Sequence, residues 1–119
     1  MFHIVEDTEC LRELLAEIIE TFGRSTMTFN GPLEYLEYAR SNTYRKPSAV
    51  ITDIRMPHMS GYKMMDEVKS IHPDVNFAVI SGEQRIDHQY KDQVSMYIFK
   101  PFEGAQIESL VSNFKPHTS

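Results

Sequence analysis

Five polar residues follow short apolar runs in this chain. Glu6 and Asp7 come after FHIV, Asp53 after SAVIT, Ser81 after NFAVI, and Lys100 after MYIF. If those runs lie side by side and point the same way, their ends bring three carboxylates, a hydroxyl and an ammonium to one edge. Like charges held close together are unfavourable unless a cation neutralises them or one takes up a proton. Lys100 supplies one positive charge against three negative, which leaves room for a hard divalent ion. Carboxylate oxygens suit Mg²⁺, which keeps several waters and so admits substrate oxygens. The five histidines, His3, His58, His72, His88 and His117, show no paired ligand spacing, so a zinc site is not indicated.

The hydrophobic pattern says how such residues could be positioned. From Thr8 a helical stripe runs through Leu11, Leu14, Leu15, Ile18, Ile19 and Phe22, and Gly23 stands where a helix end wants positive φ. TMTF (residues 26–29) reads as a strand; Asn30 then caps and Pro32 opens a second helix. SAVITD is a continuous apolar strand of the kind buried on both faces. After Gly61 a third helix carries Met65, Val68 and Ile71, and Pro73 stops it. NFAVIS and MYIF are the fourth and fifth strands, with only a weak helical face (Ile86, Tyr90, Val94) between them. Ile107, Leu110, Val111 and Phe114 mark a last amphipathic helix. Alternation of strand and helix implies a parallel sheet with right-handed crossovers. Five units are too few for a barrel, so the sheet is open and doubly wound, with its site at the carboxyl ends of the strands.

At this point a family comes into view. VED near the start, VITDIRMPHMSG in the middle, then VISGE and YIFKPF resemble, in that order, the response-regulator receiver domain of two-component signalling. The resemblance spans essentially the whole chain. It implies a flavodoxin-like, five-stranded sheet of order 2-1-3-4-5 with five helices. It also implies that Asp53 is the phosphoacceptor, attacking the phosphohistidine of a histidine kinase or phosphotransfer protein. Asp7 then looks like the direct Mg²⁺ ligand and Glu6 the second acid. Asp53 and the backbone carbonyl of Arg55 complete the protein's share. Lys100 and the Ser81 hydroxyl would each meet a phosphoryl oxygen, Gly82 would leave space beside it, and Pro101 would follow a cis peptide bond. Tyr97 matches the family's aromatic switch. The fourth helix, fifth strand and last helix would form the face read by a downstream protein.

Two departures stand out. The segment between Ser81 and Lys100 is short and lacks the usual Gly-Ala turn, so the fourth helix is expected to be short or irregular. Arg55 places a long cation two residues past the acceptor, where it could touch the phosphoryl group or pair with Glu83.

Composition sets the outer limits. At 119 residues and 41% hydrophobic, the chain makes one domain with its own core. We expect residues 1–115 to form it and 116–119 to be a short tail. A net charge of −5 argues against a general nucleic-acid surface. The single cysteine, Cys10, and the lack of any apolar run near the ~20 residues that span a bilayer point to a soluble, cytoplasmic protein. Since no output segment follows the last helix, a stand-alone receiver is the expectation, although an excised domain of a larger regulator or hybrid kinase would have the same sequence. It would not be a metabolic enzyme, although it assists its own phosphorylation and dephosphorylation. A pseudo-receiver that signals by contact alone is the alternative, opposed by intact Asp7, Asp53, Ser81 and Lys100. A cofactor-binding flavodoxin or small NTPase is opposed by VEDTEC, which has no glycine to cradle a phosphate.

Overall fold

A computed structural model describes residues 1–82, 87 and 89–115 of the chain. In chain order the elements are β1 (Phe2–Val5), α1 (Glu9–Thr21), β2 (Thr26–Phe29), α2 (Pro32–Ala39), β3 (Ala49–Thr52), α3 (Gly61–Ile71), β4 (Phe77–Ser81), β5 (Met96–Phe99) and α4 (Gly104–Asn113). The strands form one parallel sheet in the order β2-β1-β3-β4-β5. Every residue of β1, β3 and β4 is buried, which is why those three read as unbroken apolar runs. The edge strands β2 and β5 are only partly covered.

Alternation along the strands sorts the core into two layers. Phe2, Ile4, Ala49, Ile51, Ala78, Ile80 and Ile98 pack with Leu15 and Ile19 of α1 and Ile107, Leu110 and Val111 of α4. On the other face, Val5, Val50, Phe77 and Val79 meet Tyr35 and Leu36 of α2 and Met64, Met65 and Val68 of α3. The helical stripes are narrower than the sequence suggests. Leu14 is 46% exposed and Ile71 39%, so neither belongs to the buried face of its helix, which is carried by Leu15 and Ile19 in α1 and by Met64, Met65 and Val68 in α3. The cap of α2 is also not Asn30. Gly31 takes that position with Pro32 next, while the Asn30 N–H donates to the Glu34 carboxylate at 3.2 Å.

Between β4 and β5 the expected short or irregular fourth helix reduces, among the described residues, to a single 3₁₀ turn at Lys91–Gln93. Tyr90 and Val94 still pack against the core. Ile86, His88 and Glu83 lie outside the described residues, as do 116–119 of the expected tail.

Two polar residues brace the fold from within. Arg24, in the turn before β2, donates to the carbonyls of Val111 and Phe114 at 3.3 and 2.8 Å and to Ser48 Oγ at 2.6 Å. Helix α4 has no basic residue in its last turn. Arg24 therefore satisfies its terminal carbonyls from a distant segment, while lying over the Phe2 ring. His3, at the centre of β1, is fully buried, with Nδ1 2.8 Å from the Tyr35 hydroxyl. It stands edge-on to Phe29, Tyr35, Tyr38 and Tyr44. Burial, and then the positive N-terminus, push its pKa down from 6.5 to about 4, so it is held neutral.

Gly61 matters for where β3 delivers its last residues. Its N–H donates to the Ile54 carbonyl at 2.8 Å, folding the loop back on itself. A Cβ there would be driven into the Asp53 carbonyl oxygen and would stand 3.2 Å from the Ile54 Cα. Ser60 caps α3 by accepting from the Lys63 N–H at 3.1 Å, so the Ser-Gly pair both starts the helix and permits the close approach.

Two outcomes follow. His3 binds a proton more readily in the unfolded chain, so stability is full above about pH 6.5 and falls as pH drops toward 4. The loss attributable to this group is roughly 3 kcal/mol. Urea unfolding of His3→Phe across that interval is expected to show a shallower pH slope, and an unchanged slope would contradict the account. Gly61→Ala is expected to lower stability by about 1–3 kcal/mol through forced backbone displacement. Its signature is an amide chemical-shift change centred on Asp53 and Ile54; shifts confined to α3 would place the strain elsewhere.

Candidate functional site

The carboxyl ends of β1, β3, β4 and β5 meet where the sequence places them. Glu6 and Asp7 follow β1, Asp53 follows β3, Ser81 ends β4 and Lys100 follows β5. Carboxylate oxygens of Glu6, Asp7 and Asp53 lie within 4.8 Å of one another. Asp7 is exposed, whereas Glu6 and Asp53 are 3% and 9% exposed, so the cluster has an open side and a buried floor.

Asp53 is held at both oxygens. Oδ1 accepts from the Ile54 N–H at 2.6 Å, and Oδ2 accepts from Lys100 Nζ at 2.6 Å. Its own N–H donates to the Val5 carbonyl at 3.3 Å, and the buried Thr52 hydroxyl donates to its carbonyl at 2.8 Å. The carboxylate plane is thus set by rigid neighbours before any ligand arrives. Lys100 is steadied in turn: its N–H donates to the Ser81 carbonyl at 2.7 Å, and its bond to Pro101 is cis.

The charges do not balance. Burial, and then the negative charge of Asp53, push Glu6 up to about 7, with Lys100 pulling the other way. Near neutral pH the cluster therefore relieves part of its repulsion by holding a proton on Glu6. A divalent cation relieves the same surplus, and a donor set made only of oxygens fits Mg²⁺ or a similar hard ion.

Around this centre, exposed Arg55 lies in the loop from Ile54 to Ser60, which lines an open cleft of about 690 Å³. Gly82 is exposed, and a side chain there would meet nothing within 4 Å. Tyr97 is half-buried on β5, three residues before Lys100, so it sits beside the cluster rather than in it. Its hydroxyl lies 3.3 Å from that of Tyr62. A pairing of Arg55 with Glu83 falls outside the described residues.

Several residues that shape the site escape a reading by motif. Arg12 of α1 donates from Nη1 to the Glu6 carbonyl at 2.9 Å and pins the turn that carries both acids. Its spacing from Glu6 is that of an ordinary exposed helix residue, which conceals the contact. Gly61 carries a visible signal, a glycine at the first position of a helix directly after a serine cap. Tyr62 carries none, because an aromatic there reads equally well as core.

Comparison with known proteins agrees with this geometry. Residues 2–112 match the response regulator receiver domain. The DNA-binding transcriptional regulator NtrC of Escherichia coli (strain K12) is 27% identical over 117 residues, covering 96% of this chain and 24% of that protein. The transcriptional regulatory protein CssR of Bacillus subtilis (strain 168) is 33% identical over 103 residues, covering 84% of this chain and 44% of that protein. The chain thus spans about a quarter of the length of the NtrC relatives it matches. Among solved structures, the response regulator protein TrrA of Thermotoga maritima, in complex with Mg²⁺-BeF, is 25% identical with a TM-score of 0.83. The match covers 96% of this chain and 97% of that one. No helix among the described residues is long and apolar enough to cross a membrane. With residues 2–112 matching the family and the parallel sheet in the order β2-β1-β3-β4-β5, the chain belongs to the response regulator receiver domain family.

Proposed function

We propose that this domain accepts a phosphoryl group on Asp53 from the phosphohistidine of a histidine kinase or phosphotransfer protein, and that this switches a protein-binding face. The observation that carries the reading is the pairing of Asp53 Oδ2 with Lys100 Nζ at 2.6 Å inside a cluster of three carboxylates. A nucleophile, a cation to receive the incoming phosphoryl oxygens and a metal-ready acid pair are then in one place.

In the transfer, an Asp53 oxygen forms the O–P bond as the P–N bond of the donor breaks, and the departing imidazole nitrogen takes up a proton. Phosphoryl transfer depends mostly on positioning and charge stabilisation, so an ionised carboxylate fixed in one plane is an adequate nucleophile. Lys100 is already within reach of the acceptor and can shift its hydrogen bond to a phosphoryl oxygen. Ser81, buried at the end of β4, would offer its hydroxyl to another. Glu6, Asp7, Asp53 and the Arg55 carbonyl would hold Mg²⁺, whose contribution when bound is to offset the negative charge of acceptor and phosphoryl group together. The Mg²⁺-BeF complex of TrrA supports that assignment by analogy. Gly82 leaves the approach to the acceptor open, and exposed Arg55 would modulate the phosphoryl group's lifetime.

The response would pass from Ser81 to Tyr97. New charge-assisted hydrogen bonds at the phosphoryl group bias a two-state surface that includes β5 and α4. A downstream protein, in a cytoplasmic setting, would read that surface.

Incubation with Mg²⁺ and acetyl phosphate is expected to add one phosphoryl group by intact mass. The adduct should vanish in Asp53→Asn and when the metal is chelated. An adduct that persists in Asp53→Asn moves the acceptor elsewhere. Lys100→Ala is expected to blunt the beryllofluoride-induced spectral change while leaving Mg²⁺ affinity, read by calorimetry, equal or higher, since one competing cation is gone. A collapse of Mg²⁺ affinity in that variant contradicts the role given to Lys100.

A further inference from the structure

Three tyrosines meet between α3, β5 and the 3₁₀ turn at Lys91–Gln93. Tyr62, the second residue of α3, is 7% exposed, and its hydroxyl lies 3.3 Å from that of Tyr97 on β5. The same hydroxyl accepts from the Asp87 backbone N–H at 3.4 Å. Its ring lies flat against that of Tyr90, with centroids 4.6 Å apart and planes 6° from parallel. Tyr90 immediately precedes the 3₁₀ turn, to which it is tied by the Gln93 N–H donating to its carbonyl at 2.9 Å. One side chain therefore touches β5 through its hydroxyl and the β4–β5 segment through both its hydroxyl and its ring.

We propose that Tyr62 is a positioning residue that couples Tyr97 to the segment from Asp87 to Gln93, so that movement of Tyr97 is passed to Tyr90. The inference rests on the phosphoacceptor reading for its trigger, but its own content is the Tyr97–Tyr62–Tyr90 chain of contacts. The physical reason is the mismatch between the two links. The hydroxyl contact is long and is readily given up, whereas the ring stack buries aromatic area and is retained. When Tyr97 moves, Tyr62 loses one hydroxyl partner and shifts toward its remaining one, the Asp87 N–H, carrying the stacked ring with it. Tyr90 is then the point where the partner-facing surface changes.

The experiment uses the full chain with 3-fluorotyrosine at its six tyrosines, resonances being assigned by single Tyr→Phe variants. Fluorine NMR is recorded with Mg²⁺, before and after addition of beryllofluoride. The expected result is that the resonances of Tyr97, Tyr62 and Tyr90 all move in the wild-type chain. In Tyr62→Phe, Tyr97 should still move while the Tyr90 shift falls at least severalfold. Because a hydrogen bond that favours the unliganded position is lost, beryllofluoride should also bind about two- to fivefold tighter. Tyr90→Leu provides a second arm in which Tyr62 should keep its response. A residue that merely supported packing would alter melting temperature without separating these resonances. If the adduct forms and Tyr97 moves, but Tyr90 stays put in the wild type or follows unchanged in Tyr62→Phe, the relay is overturned and the phosphoacceptor reading stands. A Tyr97 resonance that ignores bound beryllofluoride overturns the relay as well. If beryllofluoride fails to bind and Asp53 takes no phosphoryl group, the phosphoacceptor reading itself fails and the relay loses its trigger with it.

Discussion

A lysine ammonium 2.6 Å from a nearly buried carboxylate, at the mouth of a sheet whose strands all point there, is the constraint around which this domain is arranged. Asp53 follows β3 and Lys100 follows β5, with β4 between them, so the pair bridges strands that never touch. Three carboxylates share that mouth with a single ammonium. Burial, and then the negative charge of Asp53, raise Glu6 to about 7, and the three neighbouring carboxylates favour added positive charge. A donor set of carboxylate oxygens fits a hard cation, and Lys100 stays within hydrogen-bond reach of Asp53.

The rest of the fold keeps those groups from relaxing apart. Three fully buried strands leave their terminal residues little freedom, and Thr52, Val5 and Ile54 hold the Asp53 backbone and carboxylate by hydrogen bonds. Gly61 lets the loop after β3 close directly onto the Asp53 carbonyl. Arg12 secures the turn carrying Glu6 and Asp7. At the far end of the sheet, Arg24 fastens the last turn of α4 to the start of β3, which keeps the helix seated on its layer of the core. These bonds hold the strand-end residues in rigid positions on one edge of the sheet.

The aromatic group around His3 is part of the buried core. A neutral imidazole, His3, bonds the Tyr35 hydroxyl within the layer beneath α2 and α3, and Tyr44 stacks on His72 at 3.9 Å. On the β5 side, Tyr62 links α3 to Tyr97 of β5 through its hydroxyl and to Tyr90 through its ring.

Much of the architecture was legible in the chain itself. Apolar period distinguishes strands from helices, three doubly buried runs require helices on both faces, and polar residues at the strand ends must then share an edge. Glu6, Asp7, Asp53, Ser81 and Lys100 are recoverable by that logic because a parallel sheet brings all such ends together. Packing decided the remainder. Leu14 and Ile71 match a helical stripe but are exposed, and Gly31 rather than Asn30 caps α2, while the Asn30 N–H bonds Glu34. The contacts of Arg12, Arg24 and Tyr62 join residues whose sequence separations carry no period. Only when the strands are laid side by side do those side chains acquire their partners, because hydrophobic spacing encodes which face is buried and says nothing of what stands across the gap.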